Sequence, residues 1–173
     1  MRNLVLILTI FMLLMLVPAN GVLAQDKATA QVSATIIIPL TATETSQLSF
    51  GRFFPGEQGG TIAISPDGSV LTSSTVVADA SPKSPGSFLV SGEADATYSI
   101  AIPNSPSTLT SADATKTMEV SDWVTLPESG DTGIRLAGGS QTVMVGATLR
   151  VGSLNDNPKG IYTGSYEITF AYN

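Results

Sequence analysis

Two kinds of side chain in this sequence have the type and spacing for chemistry: carboxylates in close pairs, and hydroxyls beside carboxylates. The closest pairs are Glu93 with Asp95, Glu119 with Asp122, and Glu128 with Asp131. Two carboxylates flanking a glycosidic bond can serve as acid and as base or nucleophile. Ser91-Gly92-Glu93 and Ser129-Gly130-Asp131 place a hydroxyl near a carboxylate, but a serine nucleophile needs a base, and the chain has no histidine. Neither G-x-S-x-G nor S-x-x-K occurs. All these acidic residues fall at strand ends or in turns, where solvated carboxylates are the ordinary expectation. Calcium needs only oxygen ligands, and Asn155-Asp156-Asn157 is the nearest candidate loop. It lacks the spaced Asp/Asn ligands and terminal Glu of such a loop, and Asn-Asp-Asn-Pro is a turn sequence in its own right. Gly51 to Gly60 is glycine-rich but does not have the phosphate-cradle spacing. The expectation is no catalytic residue, no metal and no cofactor.

The composition points the same way. The 173 residues hold 8 Lys and Arg, 14 Asp and Glu, no His and no Cys. Thiol and imidazole chemistry, the common zinc sites and a disulfide framework are therefore excluded. A net charge of −6 makes nucleic acid and anionic lipid poor partners. Arg2 followed by the apolar run Leu4 to Val17, a break at Pro18, and Val22-Leu23-Ala24 before Gln25 form the pattern of a secretory signal peptide over residues 1–24. The expected mature chain is 25–173, exported to the periplasm, cell surface or medium. No later apolar run is long enough to span a membrane.

The elements that must position any site read as strands. Residues 25–173 contain 39 Ser and Thr, and Thr, Val, Ile and Tyr stand where strong helix formers are scarce. Short apolar runs alternate with Pro and Gly turn signals, and they predict strands at 28–38, 47–50, 60–65, 69–77 (with a break), 86–91, 96–102, 116–121, 141–151 and 160–172. In the last of these, Tyr162, Gly164, Tyr166, Ile168, Phe170 and Tyr172 share one face, and polar residues occupy the other. In the first, Ala28, Ala30, Val32, Ala34, Ile36 and Ile38 share a face. Strands with one apolar face each predict a single all-β domain, an antiparallel immunoglobulin-like β-sandwich of seven to nine strands. The expected core comprises Val32, Ile36, Ile38, Leu48, Phe50, Ile62, Ile64, Phe88, Val90, Tyr98, Ile100, Val143, Val145, Leu149, Tyr166, Ile168 and Phe170.

Three blocks carry a resemblance. They are Leu48-Ser49-Phe50-Gly51 through Gly59-Gly60-Thr61-Ile62, then Phe88 to Ile100, then Val145 to Val151 followed by Gly160 to Tyr172. Together they resemble a bacterial family of small secreted proteins without an assigned function, which implies an envelope address and a β-sandwich. The ending also resembles fimbrial subunits of the chaperone–usher class, with Tyr172 penultimate and Gly160 fourteenth from the end. That resemblance implies an incomplete sandwich, a periplasmic assembly chaperone and usher as partners, and completion by the N-terminal strand of another copy, by strand addition. The strand-pairing interface would then be Ala30, Val32, Ala34, Ile36 and Ile38 on the first strand. On the last it would be Gly160, Tyr162, Tyr166, Ile168, Phe170 and Tyr172. If 28–38 is itself the donor, the intrinsic sandwich begins near residue 47. The alternative is a self-complete secreted module that binds a carbohydrate or protein through an aromatic patch of Phe53, Phe54 and Trp123.

Overall fold

The computed structural model describes residues 26–73 and 76–173. The expected signal segment, 1–24, and positions 74–75 of the expected strand 69–77 lie outside them. The chain divides between Thr35 and Ile36, and every strand described belongs to the second unit, Ile36–Asn173. In chain order the strands are β1 (Thr41–Ser46), β2 (Phe53–Pro55), β3 (Gly60–Ile64), β4 (Val70–Thr72), β5 (Val76–Ala78), β6 (Gly86–Ser91) and β7 (Thr97–Ala101). They continue with β8 (Ser107–Ser111), β9 (Thr117–Leu126), β10 (Gly130–Arg135), β11 (Ser140–Val151), β12 (Tyr162–Thr163) and β13 (Thr169–Tyr172). Among the described residues, one 3₁₀ turn at Ala137–Gly139 interrupts them. No helix among the described residues is long and apolar enough to cross a membrane.

All pairings are antiparallel, and the chain is an all-β sandwich. The large sheet runs β1-β6-β11-β9-β8-β12, with β3 beside β11 and β4 beside β3. The smaller sheet is β10-β7-β13, and β2 pairs with β5 as a separate ribbon. The organising strand is β11, whose alternation buries Val143, Val145, Ala147, Leu149 and Val151. Its first half pairs with β6 and its second half with β3. The change of partner falls at Gly146, where a Cβ would collide with the Ile64 carbonyl oxygen. Burying each of the Val and Leu side chains of β11 stabilises the fold by roughly 1.5–3 kcal/mol. The core consists of two clusters. One surrounds Ile62, Ile64, Val120, Trp123 and Leu149. The other contains Val90, Tyr98, Ile100, Leu136 and Val143. Ile102 and Ile168 pack against both.

Three expectations are corrected. The first expected strand, 28–38, does not form: residues 26–40 have no ladder partner, and Val32, Ile36 and Ile38 are 96%, 99% and 57% exposed instead of in the core. The free edge of β6 is taken by Thr41–Ser46, a segment with no large apolar side chain. Hydroxyls help to hold it, with Thr45 Oγ1 donating to Ser87 O at 3.1 Å. The expected strand 47–50 contributes one bridge, Ser49 to Ser84. The expected strand 160–172 is two strands, because the chain changes sheets between them. Tyr162 and Thr163 pair with β8, while Thr169 to Tyr172 pair with β7. Gly164 makes the crossing, against Thr108 O and the backbone of Leu109, where a side chain would not fit. Breaks of this kind, with β1, β2, β8 and β10, raise the described strands to thirteen from the expected seven to nine.

Candidate functional site

The site is the side of the sandwich that the last strand borders. Among the described residues, β13 pairs with β7 alone and β1 with β6 alone, so each presents a free edge there. A free edge is a row of main-chain donors and acceptors ready to pair with another strand. Beneath it lies an apolar row that begins ahead of the strand with Tyr166 and Ile168 and ends in β13 with Phe170 and Tyr172. Tyr166, Ile168, Phe170 and Tyr172 are half-buried and the residues between them are exposed, the alternation expected from their spacing. Tyr166 and Phe170 lie across from Phe88 of the large sheet, with ring centroids 6.3 and 5.9 Å from it. Phe170 also meets Tyr98 at 6.4 Å, and Trp123 meets Tyr166 at 4.6 Å. Phe88 to Phe170 links the two sheets directly, Phe170 to Tyr98 continues within the small sheet, and Tyr166 bridges Phe88 and Trp123 of the large sheet.

The two ends of this row are tied to β6. Tyr166 rests against Gly86 and Tyr172 against Gly92, the positions at the start of β6 and just past its end. The last strand therefore runs in the same direction as β6, and β1 runs opposite to both. At the Tyr172 end the polar groups form a closed ring. The Glu93 N–H donates to the Tyr172 hydroxyl at 2.6 Å, and that hydroxyl donates to Ile38 O at 2.9 Å. The Ile38 N–H donates to Glu93 Oε2 at 3.1 Å.

At the other end, Trp123 Nε1 and the Tyr166 hydroxyl are buried without a hydrogen-bond partner. Burial, with Glu44 adding to it, pushes the Tyr166 hydroxyl up to about 12. Burial also raises that of Tyr98. An unfolded tyrosine titrates near 10. Between that value and the folded one, the unfolded chain has lost a proton that the folded chain retains, so stability falls as pH rises through the window. The melting temperature should drop between pH 10 and 12, and Tyr166→Phe should lessen the drop. Equal slopes in the two proteins would contradict the burial assigned to this hydroxyl.

The other candidates of the sequence are dispersed. Phe53, Phe54 and Trp123 do not share one exposed face, since Phe53 packs against the core cluster that holds Trp123. Neighbours on a strand face opposite ways: Phe53 packs on the core, while Phe54 is 66% exposed opposite Val77. Trp123 is buried because Asp122, at φ 51°, shifts the alternation of β9 by one residue. Among the paired carboxylates, Glu93 belongs to the ring above, Asp95 meets Arg135 at 2.9 Å, and Glu119 meets Arg150 at 3.6 Å. In the Asn155–Asn157 loop, Asn157 is buried as a structural link, accepting from Gly152 N at 2.6 Å and donating to Thr117 O at 2.8 Å. Among the described residues, no three His, Cys, Asp or Glu side chains converge to hold a metal ion. Of the residues expected to pair strands, Gly160 and Ala30 to Ile38 are exposed and the latter join no ladder, while Tyr162, Tyr166, Ile168, Phe170 and Tyr172 are half-buried.

The fold and this open side define an antiparallel β-sandwich domain with an unpaired edge beside its C-terminal strand. Residues 40–172 match the family described as Domain of unknown function (DUF4402), and the chain belongs to that family. Comparison with curated proteins finds no match.

Proposed function

We propose that this protein is an exported, non-enzymatic structural subunit, pilin-like in its assembly, that polymerises by β-strand addition. Residues 1–24 direct export, and the mature chain 25–173 works outside the cytoplasm. The segment 28–38 of one copy lies along the free edge of β13 in the next, placing Val32, Ile36 and Ile38 over the half-buried aromatic row. An assembly chaperone and usher of the periplasm would occupy or deliver the same edge before polymerisation. No residue does chemistry in this reading.

One observation carries it. An eleven-residue segment of alternating apolar residues has no core beneath it, with Ile36 99% exposed, while the same chain leaves an aromatic row half-covered beside an unpaired strand. Each half supplies what the other lacks: apolar side chains for the row and main-chain groups for the edge. A copy that donates to its neighbour and accepts from another makes a head-to-tail contact that does not close, which gives fibres.

The test adds a synthetic peptide of residues 28–38, in excess, to mature protein and follows size by light scattering. The expected result is short, capped species. Trp123, the single tryptophan, stacks on Tyr166 at the edge to be filled, so its fluorescence should change as the peptide binds. A monodisperse monomer that neither assembles nor takes the peptide would overturn the reading.

A further inference from the structure

We infer that the ring formed by Ile38, Glu93 and Tyr172 makes strand addition intermolecular, by holding the root of the N-terminal segment away from the subunit's own free edge. The inference rests on the strand-addition reading above. It deepens that reading by naming the residues that decide between a neighbour's edge and the subunit's own.

The ring engages both main-chain groups of Ile38. Its N–H goes to Glu93 Oε2 at 3.1 Å and its carbonyl accepts from the Tyr172 hydroxyl at 2.9 Å. Groups so engaged are not available for a ladder with β13. Pro39 follows and holds Ile38 itself extended, so any reversal of the chain must fall at Pro39 and Leu40, directly beside the ring. Only Pro39 and Leu40 separate Ile38 from β1. Glu93 is itself fixed by its N–H to the Tyr172 hydroxyl at 2.6 Å. Gly92 leaves the space that hydroxyl needs, since a Cβ there would strike it.

Direction adds a second reason. The last strand passes from Gly86 toward Gly92 as it runs from Tyr166 to Tyr172, and β1 starts at the Gly92 end. A segment that reaches Ile38 at that end, having lain along its own last strand, must run parallel to it. A segment from another copy has no such constraint and can pair antiparallel, the slightly more stable arrangement. Releasing Ile38 frees the residues around Pro39 to reverse the chain, and the segment then meets its own edge at the high effective concentration of a short tether.

The experiment compares wild type with Tyr172→Phe, which keeps the ring on the apolar row and loses the hydroxyl. Glu93→Ala serves as a second variant that removes the Ile38 acceptor without touching the last strand. Mature protein of each is assembled, sized by light scattering, and challenged with the 28–38 peptide. The expected result is a several-fold rise in folded monomer for both variants, and monomers that no longer take the peptide because their own segment fills the edge. Variants that assemble to the wild-type length, while the peptide caps all three proteins, overturn the inference and leave the strand-addition reading standing. Monomeric variants that still bind the peptide also overturn it, since their edge is empty. A peptide that caps none of the three removes the reading and the inference together.

Discussion

Replacing Val32 and Ile36 together by Asp should leave the subunit folded and abolish its assembly. Both side chains are almost wholly exposed, at 96% and 99%, so a carboxylate there stays in water and loses no buried contact. Surface changes of this kind shift stability by about 0.5 kcal/mol or less, and the melting temperature of the monomer should be unchanged. In the proposed fibre the same positions would lie over Phe88, Phe170 and Tyr166. There a carboxylate would lose its hydration without a cation to pair with, since the row it meets is aromatic. Burying each native side chain contributes roughly 1.5–3 kcal/mol, and the double variant forfeits both contributions before the desolvation cost is counted. Light scattering should show monomer at every concentration where wild type forms long species. A variant that unfolds would show that the segment belongs to the subunit's own core, and one that polymerises normally would remove the segment from the interface.

The contrast between the two ends of the chain shows what the sequence could express. Both 28–38 and 160–172 have the alternation of a half-buried strand, and for the C-terminal one the alternation describes the molecule residue by residue from Tyr166 to Tyr172. Alternation reports that a segment is suited to lie on an apolar surface. It does not report whether that surface belongs to the same copy. Thr41–Ser46 was illegible for the converse reason: it is an edge strand held by main-chain bonds and by hydroxyls such as that of Thr45, so it has no apolar face to display. The continuous pattern over 160–172 also concealed a change of sheet. Gly164 sits at an apolar-phase position, and its need for room against Thr108 depends on where β8 lies in space.

Trp123 marks a similar boundary of what patterns convey. Counted from Met118 and Val120, it has the phase of an outward residue, and its burial depends on Asp122 adopting φ 51°. The register between β9 and β11 slips between Gly146 and Thr148, opposite this residue. Asp is among the few residues that adopt this conformation at modest cost, so Ser121-Asp122-Trp123 did contain a signal for a bulge. The ring at Tyr172 had no linear signal at all, because its members lie 55 and 79 residues apart. What the chain did display without ambiguity was the interior of β11 and β3, where every second residue from Val143 to Val151 and from Ile62 to Ile64 is buried.

Tyr98→Ala should be the most damaging single change in the subunit itself. Tyr98 is the largest side chain with no exposed surface, and it belongs to β7, the strand between β10 and β13. Removing its ring takes away a cross-strand contact with Phe170 and leaves a cavity in the cluster of Val90, Ile100, Leu136 and Val143. Aromatic-to-alanine changes in a packed core cost about 3–5 kcal/mol, a large share of the roughly 5–15 kcal/mol that holds a domain of this size folded. Tyr98→Phe isolates the polar part, because it keeps the ring and loses the hydrogen bond to Gln141 Oε1 at 2.9 Å. Gln141 is half-buried, so its oxygen retains access to water, and the expected cost is about 1 kcal/mol. Denaturant midpoints of the two variants should therefore separate widely, with Tyr98→Phe near wild type. Because Phe170 leans on Tyr98 at the edge proposed to accept the next subunit, Tyr98→Ala should also weaken capping by the 28–38 peptide at temperatures where the variant is still folded. Full peptide affinity in that folded variant would mean that the aromatic row holds its shape without the Tyr98 ring beside it.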